Sequence, residues 1–166
     1  MTTTDPTMNA IAAATERARR GETDTARAEL VELWTELGPH GDPLHRCTLA
    51  HYLADLYPDP ARALTWDIRA LDAAAALTDA RVQRHHDSLH IAGFYPSLHL
   101  NLADNYRLLG SFDAATEHLV AAGRFTEALP DDAYGRMIRR ALDETRDMIA
   151  AGSRERRPSA PGSTGS

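Results

Sequence analysis

Between Leu102 and Ala122, large and small apolar residues follow one another in an order suited to two closely packed helices. Leu102 stands beside Ala103, Tyr106 follows one turn later, Gly110 interrupts, and Phe112, Ala115, Leu119 and Ala122 recur at helical spacing. Residues three and four apart share a helix face, so each half carries one apolar stripe. Gly110 permits the reversal that lays the two stripes together. Ala at positions 103, 115 and 122 sets the separation, because a methyl side chain lets two backbones approach where Leu or Phe holds them apart. The stretch predicts an antiparallel helical hairpin.

The whole chain extends this pattern. Its 166 residues suit one domain, and 43% apolar residues are enough for a continuous core. Only 6% are aromatic while Ala is abundant, which favours helices in close contact over a sheet sandwich. All 18 basic residues are Arg, so lysine chemistry, whether a Schiff base or a phosphate-loop amine, is excluded. A net charge of -6 disfavours nucleic acid and anionic membranes as partners. Charging all 8 His residues would bring the charge to about +2, so association is expected to depend on pH. One cysteine, Cys47, no apolar run long enough to span a bilayer and no basic leader before an apolar core make a soluble, cytoplasmic protein the expectation.

Asp5-Pro6, Asp42-Pro43 and Asp59-Pro60 each pair an N-cap acceptor with proline at the first helical position, and Thr23-Asp24 and Thr78-Asp79 add two weaker starts. Gly21, Gly38 and Gly110 mark helix ends. The predicted helices run over 6–20, 24–37, 43–57, 60–77, 79–109 with a break near Pro96, 112–128 and 132–151. Leu64, Ile68, Leu71 and Ala75 form one predicted buried stripe; Tyr134, Ile138, Ala141 and Met148 form another. Residues 1–151 make one helical domain, and 152–166, without apolar periodicity, read as a disordered tail.

Leu49-Ala50-His51-Tyr52, with Ala63 and Ala70, repeats the order of Leu102-Ala103, Ala115 and Ala122 with a turn one residue longer and without the Gly, and Gly21, Ala26, Leu30 and Leu33 give a degenerate earlier copy. The sequence resembles the tetratricopeptide repeat family, most specifically over residues 96–128. The resemblance implies an all-α fold: antiparallel helical hairpins stacked as a short solenoid, about three repeats plus a capping helix at 132–151. It also implies a protein- or peptide-binding adaptor whose concave groove is lined by the first helix of each repeat. Carried onto this chain, the groove positions are His51 and Asp104, with Ala54 and Arg107 one turn further, Asp55 and Leu108 beside them, and Thr48 and Asn101 at the rim. Binding residues are thus expected at Thr48, His51, Asp55, Asn101, Asp104 and Arg107. The family's carboxylate clamp needs Lys, which this chain lacks. Asp104 and Arg107, three apart, can also simply pair with each other on a solvated face.

No cofactor is implied. The competing chemistry comes from histidine: His86 and His90 project from one helix face, and Asp87, His51 or His99 would have to complete a metal set, giving a small-molecule- or metal-binding protein with a His-lined pocket. Cys47 in a helix reads as a small buried hydrophobe rather than a nucleophile. No nucleophile elbow, phosphate loop or dinucleotide fingerprint occurs, so the chain is not expected to be an enzyme. Phe94-Tyr95 is the expected exposed aromatic pair. Arg154, Arg156 and Arg157 suggest a homo-oligomer in which one copy's tail meets another's acidic body.

Overall fold

A computed structural model describes residues 4–85 and 91–160. Every regular element among them is helical: α1 (Pro6–Arg19), α2 (Thr23–Leu37), α3 (Pro43–Ala54), α4 (Pro60–Ala74), α5 (Asp79–His85), α6 (Tyr95–Leu108), α7 (Phe112–Gly123) and α8 (Ala133–Ala150), with 3-10 turns at Ile91–Gly93 and Thr126–Ala128. The three aspartate-proline starts are real caps. Asp5, Asp42 and Asp59 accept from the backbone N–H groups of Met8, Leu44 and Ala61 at 3.0, 2.9 and 3.0 Å. Each bond satisfies a donor that the first turn would otherwise leave unpaired. Among the described residues, the stretch predicted as 79–109 with a break near Pro96 contains α5 and α6, and α6 starts at Tyr95 with Pro96 in its first turn.

Helices pack as pairs, α1 with α2, α3 with α4 and α6 with α7, while α2 meets α3, α4 meets α6, and α8 rests on α6 and α7. The small residues stand at these crossings: Ala26, Ala50, Ala70, Ala103, Ala115 and Ala122 have no exposed surface. Two apolar clusters result, one around Leu30, Leu49, Leu53 and Trp66, the other around Leu100, Leu129, Ile138 and Leu142.

On α4 the predicted stripe is incorrect. Ala63, Trp66, Asp67, Ala70, Ala73 and Ala74 are buried, whereas Ile68 is 47% exposed. The inward face is the one on which Ala63, Ala70, Ala73 and Ala74 admit a neighbouring helix and Trp66 fills the space between. On α8, Ile138 and Ala141 are buried as expected, but Tyr134 is exposed and Leu142 and Thr145 complete the inward face. Phe94 and Tyr95 are half-buried against the first cluster rather than exposed. No helix among the described residues is long and apolar enough to cross a membrane.

Two capping carboxylates also serve in tertiary structure. Arg81 of α5 donates from Nε to Asp42 at 2.6 Å and places Nη2 3.7 Å from Asp5, while His45 Nε2 lies 2.8 Å from Asp5. Burial opposes both charges, yet the His45 and Met8 bonds keep the Asp5 pKa below its usual value, and the Arg81 and Leu44 bonds do the same for Asp42. The starts of α1 and α3 are thereby tied to α5.

The chain reverses after α6 and after α8 in the same way. Gly110 (φ 81°) and Gly152 (φ 62°) take the left-handed conformation that favours glycine. Ser111 N–H donates to Tyr106 O at 2.8 Å, and Ser153 N–H to Met148 O at 2.9 Å, closing the six-residue loop of a Schellman turn at each end. Gly152 thus turns the chain out of α8 into a non-helical arm, residues 153–160, that runs back over α6. Within the stretch expected to be disordered, the main chain of this arm and Arg157 are bonded to the body; residues 161–166 lie outside the described residues.

Candidate functional site

The predicted groove residues lie on α3 and α6, and their neighbours include a residue that the pattern passed over. Along α6, Asn101, Asp104, Asn105 and Leu108 share one face at helical spacing. His51 and Asp55 stand one turn apart at the end of α3. Between them, α4 contributes Asp67, only 1% exposed. Asn105 Nδ2 donates to Asp67 Oδ2 at 2.7 Å, Asn101 Nδ2 to Oδ1 at 3.4 Å, and His51 Nδ1 lies 3.5 Å from the same Asn101 nitrogen. Burial chiefly, then the charge of Asp55 and more weakly that of Asp104, raises the Asp67 pKa well above the carboxylate range, and the two Asn donors only partly offset this. Asp55 opens to the cleft, but protein packed around it raises its pKa against the pull of His51 and Arg157.

Asp104 and Arg107 pair as their spacing allows, but in a buried place rather than on a solvated face. Arg107 has no exposed surface. Its Nε and Nη2 donate to Asp104 Oδ1 at 3.0 and 2.6 Å, and its Nη1 donates to the main-chain carbonyls of Ser153 and Glu155 at 2.8 and 2.7 Å. The guanidinium expected to face a partner is therefore spent on the chain's own arm. Arg157, 5% exposed, answers from the arm: its Nε donates to Asp104 Oδ2 at 3.1 Å, and its Nη1 lies 3.5 Å from Glu144 of α8. Ser159 Oγ also bonds Glu144. Although burial works against the charge, the bonds from Ser159 and Arg140 and the Arg157 charge hold Glu144 below its ordinary pKa.

A cleft of about 300 Å³ remains beside the arm, lined by Asp55, Tyr57, Asn101, Asn105, Arg154 and Arg156 among others. Its chemistry is amide, carboxylate and guanidinium around an apolar edge, suited to an extended polar chain. Thr48 is half-buried on α3 and is not among the lining residues. Asp67, Asn105 and Glu144 are among the participants that the sequence pattern passes over. Asp67 was signalled by its place between Ala63 and Ala70 on the buried register, and Asn105 by its spacing of four from Asn101; nothing local marked Glu144.

No family model matches this chain, and neither curated proteins nor solved structures match it. The residues themselves must carry the functional argument.

The histidine reading divides. His86, His90 and Asp87 lie outside the described residues, and among the described residues no group of three or more His, Cys, Asp or Glu side chains is arranged to hold a metal. His51 belongs to the amide network above. His99 instead joins a stack of rings between α6 and α7: Phe125 on Tyr95 at 4.8 Å between centroids, Tyr95 on His99 at 6.0 Å, His99 on His118 at 5.3 Å and His118 on Tyr106 at 5.4 Å. The two imidazoles bring Nδ1 to Nδ1 at 3.0 Å, so one ring must donate and the other accept. Burial, then the neighbouring His118 and Arg124 charges, lowers the His99 pKa; burial also lowers that of His118, with Glu117 opposing. Both folded-state values lie below 6.5, so the unfolded chain takes up more protons as pH falls through this range, and stability present above about pH 6.5 is lost on acidification. Melting wild type and His118→Phe from about pH 7.5 down to about pH 5.5 should give a steeper fall in transition temperature for wild type. Parallel curves would show that the pair does not couple protonation to folding.

Cys47 is 5% exposed, and burial pushes its thiol pKa up to about 12. It is a packed sulfur rather than a thiolate nucleophile.

Proposed function

We propose that this chain is a tetratricopeptide-like stack of about three helical hairpins with a capping helix, a cytoplasmic adaptor that binds an extended protein or peptide segment along the face made by α3 and α6. The observation that carries the reading is that the α6 side of this face already accepts a non-helical main chain, since Arg107 donates to the carbonyls of Ser153 and Glu155. Beside that contact, Asn101, Asn105 and Asp55 line a cleft whose size admits a few side chains rather than a large cofactor. The mechanism is recognition rather than turnover, and the buried thiol of Cys47 supports that reading.

The test pans a phage-displayed library of random peptides against the purified full chain and against Asp55→Arg. Asp55 opens to the cleft and follows the last turn of α3, where a cation is tolerated, so the variant should keep its helicity. Peptides enriched on wild type are expected to lose at least about tenfold in affinity on the variant, a change readily produced by charge reversal at a contact. No enrichment, or equal binding to both, would overturn the assignment.

A further inference from the structure

The arm that crosses α6 is bound in a manner that describes what else would bind there. Its main chain is gripped through two carbonyls, Ser153 and Glu155, and one side chain, Arg157, is inserted between Asp104 and Glu144. Arg154 Nε adds a bond to Leu108 O at 3.1 Å, at the open end of α6. The acceptors are provided by different elements, α6 and α8, so the socket exists only where these helices meet. We infer that residues 153–160 are a built-in occupant of the α6 side of the α3–α6 face, held where α6 meets α8, and that the partner which replaces them is an extended segment carrying an arginine two residues beyond the second gripped carbonyl.

This deepens the reading of that face as a peptide site and rests on it. The physical reasons are three. Arg107 cannot serve an incoming chain while it holds the arm, because all three of its guanidinium nitrogens are bonded. The socket pairs one cation with two carboxylates, and arginine matches it where lysine would not, since a planar fork can reach both acceptors at once. The arm leaves α8 through a single glycine turn, so it competes at an effective concentration on the order of millimolar. A partner in trans therefore binds weakly until the arm lets go.

The test uses the full chain and a fluorescein-labelled peptide, Gly-Ser-Arg-Glu-Arg-Arg-Pro-Ser-Ala, copied from residues 152–160. Arg157→Ala empties the socket but leaves Asp104, Glu144 and Arg107 in place. By fluorescence anisotropy the variant should bind the peptide at least about tenfold more tightly than wild type, because the arm competes less once it has lost its inserted side chain. A peptide with Ala at the position matching Arg157 should lose that gain. Equal affinity of wild type and variant, or of the two peptides, would overturn the inference.

A second measurement avoids any variant. In the nitrogen-15 correlation spectrum of the wild-type chain, saturating peptide should move the amide signals of residues 153–157 towards unstructured positions. Peptide binding without that movement would overturn the competition. If library peptides bind and lose affinity on Asp55→Arg yet show neither arginine dependence nor arm release, the peptide site stands and this inference falls.

Discussion

Arg107→Leu is expected to cost about 3–5 kcal/mol of folding stability, the range for removing one member of a buried ion pair. The wild-type guanidinium is fully buried, so its loss leaves Asp104 facing Arg157 alone and strips the Ser153 and Glu155 carbonyls of their donor. Leucine offers no hydrogen and is too short to fill the space of the guanidinium, so the penalty combines unmet acceptors with a cavity. Urea denaturation followed by circular dichroism would measure it. Arg107→Lys should recover part of the loss, because an ammonium keeps the charge but cannot reproduce a planar fork that reaches one carboxylate oxygen and two carbonyls. A loss under about 1 kcal/mol in the leucine variant would mean that the arm exchanges its bonds with water at little cost.

Trp66→Ala should be comparably damaging, at about 3–5 kcal/mol, the usual cost of truncating a large buried aromatic. Trp66 is 8% exposed and meets Trp34 edge to face, with 5.2 Å between centroids. The Arg69 guanidinium lies 4.3 Å from its ring, and the Arg46 guanidinium 4.0 Å from that of Trp34. Removing the indole therefore takes away an aromatic pair and a cation's seat together with apolar area. For a chain of this size the transition should fall by roughly 10 °C. The emission of Trp34 should move to the red as its neighbour disappears. Ile68→Ala, two residues along the same helix but 47% exposed, is the contrast and should change stability by less than about 0.5 kcal/mol. Equal losses at both positions would contradict the inward face assigned to α4.

These two sites also separate what could be read in the sequence from what could not. Helix starts were legible because Asp followed by Pro is a local device: capping geometry depends on a few adjacent atoms, and Asp5, Asp42 and Asp59 all form it. The interlocking alanines were legible for a related reason, since Ala63, Ala70, Ala115 and Ala122 keep one register and all are buried. On α4 two local signals disagreed. Leu64, Ile68 and Leu71 proposed one face, the alanines together with Trp66 another, and the second is the one that packs inward. Arg107 and the arm were not legible, because their fate was decided between residues 46 and 48 positions apart. Composition alone marked residues 153–160 as polar and aperiodic, and a segment held by main-chain carbonyls and one arginine has no apolar period to display. Gly152 was the available signal: it closes α8 as Gly110 closes α6, and a chain turned that sharply is directed back onto its own body.

The cluster of Asp5, Asp42, His45 and Arg81 bears on how the molecule comes apart. A stack in which each unit touches only its neighbours can fray from its ends, losing one hairpin at a time. Here α1, which would be the first to leave, is bonded through Asp5 to His45 at the start of α3 and lies within reach of Arg81 on α5. Arg81 in turn holds Asp42. Opening the first hairpin thus breaks contacts that also position α5. Loss of α1 is thereby linked to the anchoring of α3 and α5, and these three helices are expected to open together.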